Sequence, residues 1–162
     1  QYIKPINDIK KDAFFMAQNN ETLYWWQGEN ARLSSLSVMA FFVYPHIQSY
    51  DLKPQLLLYA QNSLSWVLGL NPYNVSMLDG HGVNNCDYLP QQGFHNAKGG
   101  ICNGITASIT DDNSIAFNPA EYRNDMTQNW RWSEQWLPHA AWYLLAISAQ
   151  VAHYHQKNML GE

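Results

Sequence analysis

The sequence predicts a mostly α-helical chain carrying one long irregular excursion. Two observations lead there. Apolar residues recur at helical spacing in four separate stretches, and between the last two lies a region of about sixty residues rich in Gly, Asn, Asp and Pro. With 162 residues and 46% hydrophobic content, one packed domain is the expectation.

A first, short helix is predicted over 5–18, with Ile6, Ile9, Ala13, Phe14 and Ala17 on one face, broken by "QNNET". The second runs over 30–43, where Leu33, Leu36, Ser37, Ala40 and Phe41 share a face. Pro45 ends it, having no amide proton to continue the ladder. The third spans 54–68. It opens at Pro54, which suits a first turn, and carries Leu56, Leu57, Ala60, Leu64, Val67 and Leu68, with Gly69 as the stop. The last spans 137–155, its predicted stripe being Leu137, Ala140, Ala141, Leu144, Leu145, Ser148, Val151 and Ala152. The excursion over about 70–131 is too long for a mere connection. Its Tyr, Phe, Ile and two Cys indicate an ordered, functional loop region. Short strands are expected near 105–109 and 115–117.

The net charge is −4 and no Lys/Arg cluster occurs, which disfavours nucleic acid and anionic membrane surfaces as partners. No apolar run reaches the ~18 residues of a membrane span. The N-terminal stretch lacks the order of a signal peptide and begins without Met, as a mature, trimmed or partial chain would. Cys86 and Cys102 fall in the excursion. Spacing alone leaves open whether they pair. Together with His81 and His95 they suggest a metal site only weakly, because the spacings match no zinc pattern. No metal or other cofactor is expected.

The chemistry-bearing stretch is "NDMTQNWRWSEQWLPHA" (124–140). Three Trp crowd Glu134 just ahead of the last helix. Apolar aromatic surroundings raise a carboxyl pKa, which is one route to an acid that is protonated near neutral pH. A helix N-terminus works in the opposite sense. A Glu that merely opens a helix is therefore the competing reading.

Asp125 precedes Glu134 by nine residues, with Trp130 five after the Asp and Ala141 seven after the Glu. Upstream, Ser76, Leu78, Gly82 and Asn84 form a second spaced set, followed by His95 in "GFHNAKGG". Together these resemble the two C-terminal signatures of the family 9 glycoside hydrolases, mostly cellulases and related β-glucanases. The resemblance spans roughly 52–157. It implies the C-terminal portion of an (α/α)6 barrel and an inverting hydrolysis of β-glycosidic bonds in a poly- or oligosaccharide. It also implies a secreted or periplasmic location. Carried over, Glu134 is the general acid, Asp125 an acidic helper, His95 a substrate contact, and Trp130 and Trp132 sugar-stacking or pocket-wall residues.

The chain departs from the family pattern at several positions. Ser133 precedes the acid where Asn is usual, Ala140 replaces an Asn, Asp79 a small or β-branched residue, and Ala97 an Arg. These point to a divergent branch, acting on something other than cellulose. Inversion needs a second carboxyl ~6.5–9.5 Å from the first. The upstream Asp-Ala-Gly-Asp that supplies it in the family is missing here; Asp79, Asp111 and Asp112 are the substitutes on offer. Twelve helices of ~11–12 residues do not fit this length. The expectation is that the remainder of the catalytic domain, or another chain, completes the barrel, and that the isolated chain associates or is marginally stable. A non-catalytic carbohydrate-binding or interaction domain is the alternative function.

Overall fold

A computed structural model describes residues 28–86, 96–108 and 115–160. The expected helix over 5–18 lies outside the described residues. The chain is mostly helical. Helix α1 spans Asn30–Val43, α2 Leu52–Val67, α3 Met126–Ser133 and α4 Leu137–Leu160. A 3-10 turn at Tyr44–His46 carries Pro45 and ends α1. A short antiparallel pairing joins β1 (Thr106–Ala107) to β2 (Ile115–Ala116), near both places where strands were expected.

Helix α1 packs against both α2 and α4. Leu33, Val38 and Phe41 of α1 meet Tyr59, Ala60, Leu64 and Val67 of α2 and Tyr143, Ala146 and Ala149 of α4 in one core. Small residues set the α1–α2 approach: the buried Ser37 donates its hydroxyl to the Ala60 carbonyl at 3.0 Å. The end of α2 is a Schellman arrangement, Leu70 N–H donating to Ser65 O and Gly69 N–H to Trp66 O. It places Gly69 as expected but leaves Leu68 exposed.

Helix α4 corrects one expectation. The face that packs on α1 is His139, Tyr143, Ala146 and Ala149, whereas Leu137, Leu144, Leu145 and Val151 of the predicted stripe are exposed. The helix is apolar on two sides. Its alanine side lets the α1 backbone come close, and the leucine side is left outward, with Leu144 68% exposed.

The excursion is shorter than predicted, because α3 takes its last residues. Where described, it is a set of extended segments rather than free loop. Segment 100–104 lies centrally. On one side Leu78 bridges Ile101 and Cys102 N–H donates to Met77 O at 3.1 Å. On the other, Cys102 bridges Gln135, Asn103 N–H donates to Glu134 O at 2.8 Å, and Gly104 N–H donates to Trp132 O at 2.8 Å. The two spaced motifs, which begin about fifty residues apart in sequence, are thus stitched to the same segment. A disulfide between Cys86 and Cys102 fastens the first motif's loop to it.

Candidate functional site

Glu134 ends α3 rather than opening α4. Its backbone is extended (φ −63°, ψ 131°) and its N–H donates to Trp130 O at 3.2 Å, closing the last turn. Two residues then separate it from Leu137, the first of α4. The charge–dipole contact of a helix-start Glu therefore does not apply. Glu134 is half-buried, and its Oε2 accepts from Asn103 Nδ2 at 3.3 Å.

Asn103 is almost wholly buried and uses every polar atom. Its side chain donates to Trp130 O at 2.9 Å and to Glu134 Oε2, while Oδ1 faces His139 Nε2 at 3.1 Å. His139, also buried, accepts at Nδ1 from the Ala31 N–H at 2.9 Å. That amide is among the first-turn donors of α1 that have no partner within the helix. Burial holds the His139 pKa down at about 4. Trp136 packs edge-on against this ring, with centroids 5.3 Å apart.

Position 103 is fixed by its surroundings. Asn30, the first residue of α1, donates to Cys102 O at 2.8 Å and to Asn103 O at 3.3 Å. Gly28 passes so close that a Cβ there would stand 1.8 Å from Asn103 O, and its φ of +80° suits glycine alone. Next to Glu134, Gln135 clamps Ala97 by accepting from its N–H at 2.7 Å and donating to its carbonyl at 2.9 Å.

The upstream motif is a compact turn. Ser76 N–H donates to Asn84 O at 2.7 Å. Gly82 (φ +86°) lies against Ser76, where a Cβ would come within 2.6 Å of the Ser76 Cβ. Asn85 donates to the carbonyls of Ser76, Leu78 and His81. This turn places no charged group on Glu134; it shapes the wall beside segment 100–104.

The other sequence-predicted residues are distributed differently. Asp125 caps the N-terminus of α3, its carboxylate accepting from Thr127 N–H at 2.9 Å and Thr127 Oγ1 at 2.7 Å. It stands nine residues before Glu134, about 13 Å along the helix at 1.5 Å per residue. The two carboxylates are not brought together. Trp132 is 0% exposed and donates Nε1–H to Thr106 Oγ1 at 2.9 Å, so it presents no face to a sugar. Its indole stacks instead on Tyr122. Trp130 is half-buried and donates to Thr127 O. His95, Asp111 and Asp112 lie outside the described residues, and Asp79 is half-buried with its backbone paired to Gly99 and Gly100. Cys86 and Cys102, bonded to each other, are not available as thiolate ligands. Among the described residues no three His, Cys, Asp or Glu side chains gather as a metal site.

Sequence reasoning missed Asn103 and His139, and it counted the exposed Trp136 among the residues around Glu134 without giving it a role. A further feature is a cavity of about 210 Å³ walled by Tyr73, Ile115, Phe117 and Tyr122, with Glu121 at its edge. Burial raises the Tyr73 pKa, and its hydroxyl donates to Ile115 O at 2.8 Å.

No family model matches the sequence, and no curated protein is significantly similar to it. No described helix is long and apolar enough to cross a membrane.

Proposed function

We propose that the chain contributes the general acid of an inverting glycoside hydrolase acting on β-linked poly- or oligosaccharides, with Glu134 as that acid. One observation carries this reading. Glu134 is a half-buried carboxyl two residues from a solvent-exposed indole, Trp136, and a fully satisfied buried amide anchors one of its oxygens. A carboxyl so placed has one oxygen fixed by the protein, leaving the other to protonate a leaving glycosidic oxygen. The CH face of a pyranose packs well on an exposed indole. Trp136 takes over the stacking role first assigned to Trp132.

Asp125, read as an acidic helper, caps α3 instead, and the inverting base is a second carboxyl, which the resemblance to family 9 places upstream. The exposed leucine face of α4, with Met39 and Phe42 of α1, supports a partner: the remainder of an (α/α)6 barrel, or another chain, covers it. In that arrangement the protein acts outside the cytoplasm, as the resemblance to family 9 implies.

A second reading, a non-catalytic carbohydrate-binding domain, is favoured by the aromatic cavity around Tyr73 and Phe117. Glu134→Gln separates the two. In the full-length protein, assayed on a panel of soluble β-glucans, the substitution is expected to lower hydrolysis by ~10²–10⁴-fold, the usual worth of a general acid. Affinity measured by calorimetry should stay within a few-fold. Binding with no hydrolysis in either protein would favour the module instead.

A further inference from the structure

We infer that His139 and Asn103 form a positioning relay that aims the Glu134 carboxyl, running from the first turn of α1 through an imidazole and an amide to Oε2. The inference rests on Glu134 acting as the general acid. Each link has a direction. Ala31 N–H can only donate, so His139 Nδ1 must accept and carries no proton. The ring proton is then on Nε2, which donates to Asn103 Oδ1. That donation decides which end of the Asn103 amide faces inward. With Oδ1 held by the ring, Nδ2 is turned toward Trp130 O and Glu134 Oε2. Asn103 also holds residue 134 by the main chain, donating its own N–H to the Glu134 carbonyl. The backbone bond sets where residue 134 is, and the side-chain bond sets where its carboxyl points.

Burial supports a neutral ring, as does the steric consequence of charging it: a second proton on Nδ1 would meet the Ala31 N–H head on. Among the described residues the Asn103 amide is the hydrogen-bond partner of the Glu134 carboxyl, and so its orienting contact. Neither His139 nor Asn103 needs to touch substrate. Both act through Glu134.

A merely structural pair and an aiming pair differ in how their loss depends on the leaving group. Protonation of the departing oxygen matters for a sugar leaving group and little for a dinitrophenolate, which leaves without it. In the full-length protein, Asn103→Ala and His139→Leu should lower kcat on β-linked oligosaccharides by on the order of 10²-fold, the cost of a misplaced catalytic group. On 2,4-dinitrophenyl β-glycosides they should lose no more than a few-fold. His139→Gln, which keeps a donor toward Asn103, should restore most of the oligosaccharide activity. Glu134→Gln serves as reference and should show the same selectivity, more strongly. Independently of activity, ¹⁵N-edited NMR of the His139 ring should show the neutral Nε2–H tautomer at pH 7.

An Nδ1–H tautomer would overturn the relay. So would an equal loss on both substrate types in Asn103→Ala while Glu134→Gln remains selective, since that pattern removes the relay and leaves the acid standing. No hydrolysis by the full-length protein, or a Glu134→Gln variant without leaving-group selectivity, would overturn the acid reading together with the relay built on it.

Discussion

The helical layer and the segment between the two motifs are held together by different physics. Where α1 meets α2 and α4, the contacts are side chains such as Leu33, Phe41, Leu64 and Ala146, and the helices satisfy their own backbones. Where 100–104 runs between 75–79 and 132–136, regular ladders are short and amide side chains complete the hydrogen bonding. Asn30, Asn71, Asn85, Asn103 and Gln135 each hold backbone carbonyls with their side-chain amides. Apolar packing tolerates substitution of similar volume. An amide bridging three backbone groups tolerates little, because each unpaired buried group costs ~1–3 kcal/mol. Glu134 lies in the second region, where the Asn103 amide holds its carboxyl.

The comparison can be broken most severely at Trp132, the largest fully buried side chain of the second region. Trp132→Ala empties a fully buried site and removes the bond to Thr106, and should cost about 3–5 kcal/mol by chemical denaturation. A loss below about 1 kcal/mol would mean that 132–136 is not packed as described.

Acid should act next. His139 titrates near 4 when folded, against an ordinary value near 6.5, so the unfolded chain binds the extra proton first. The neutral ring's contribution is therefore fully present above pH 6.5 and lost as pH falls through 4. It amounts to roughly 3 kcal/mol. His139→Gln should flatten the stability–pH curve across that window, a change readable in urea midpoints.

The smallest effect on stability is expected on the outer face of α4. Leu144→Lys should alter unfolding by no more than about 0.5 kcal/mol, yet reduce self-association of the isolated chain in sedimentation velocity. Unchanged association would place the covering surface elsewhere.

The sequence disclosed the two regions unequally, for the same physical reason that separates them. Helix α1 was legible to the residue, because Leu33, Ala40 and Phe41 repeat at 3.6-residue spacing and Pro45 stops them. The buried face of α4 was misread. Large Leu side chains dominate a periodicity count, while the packing used Ala146 and Ala149, whose small size is what permits close approach. Helix α3 was missed because "MTQNWRWS" is short and has no aliphatic residues at helical spacing. Its signal was at its start, where Asp125 and Gln128 have the spacing of a capping box. That same capping role is what withdraws Asp125 from Glu134. Asn103 could not have been singled out at all: nothing in "ICNGI" marks one Asn as the partner of a His thirty-six residues away.

The central claim, that Glu134 protonates the leaving oxygen of an inverting hydrolysis, is tested most directly by one-dimensional ¹H NMR during turnover of a soluble β-glucan by the full-length protein, wild type beside Glu134→Gln. The wild type should first build up the α-anomeric signal of the new reducing end, with the β signal following by mutarotation, and the variant should give neither over the same period. A β-anomer that appears first, or a variant that releases product at the wild-type rate, would contradict it.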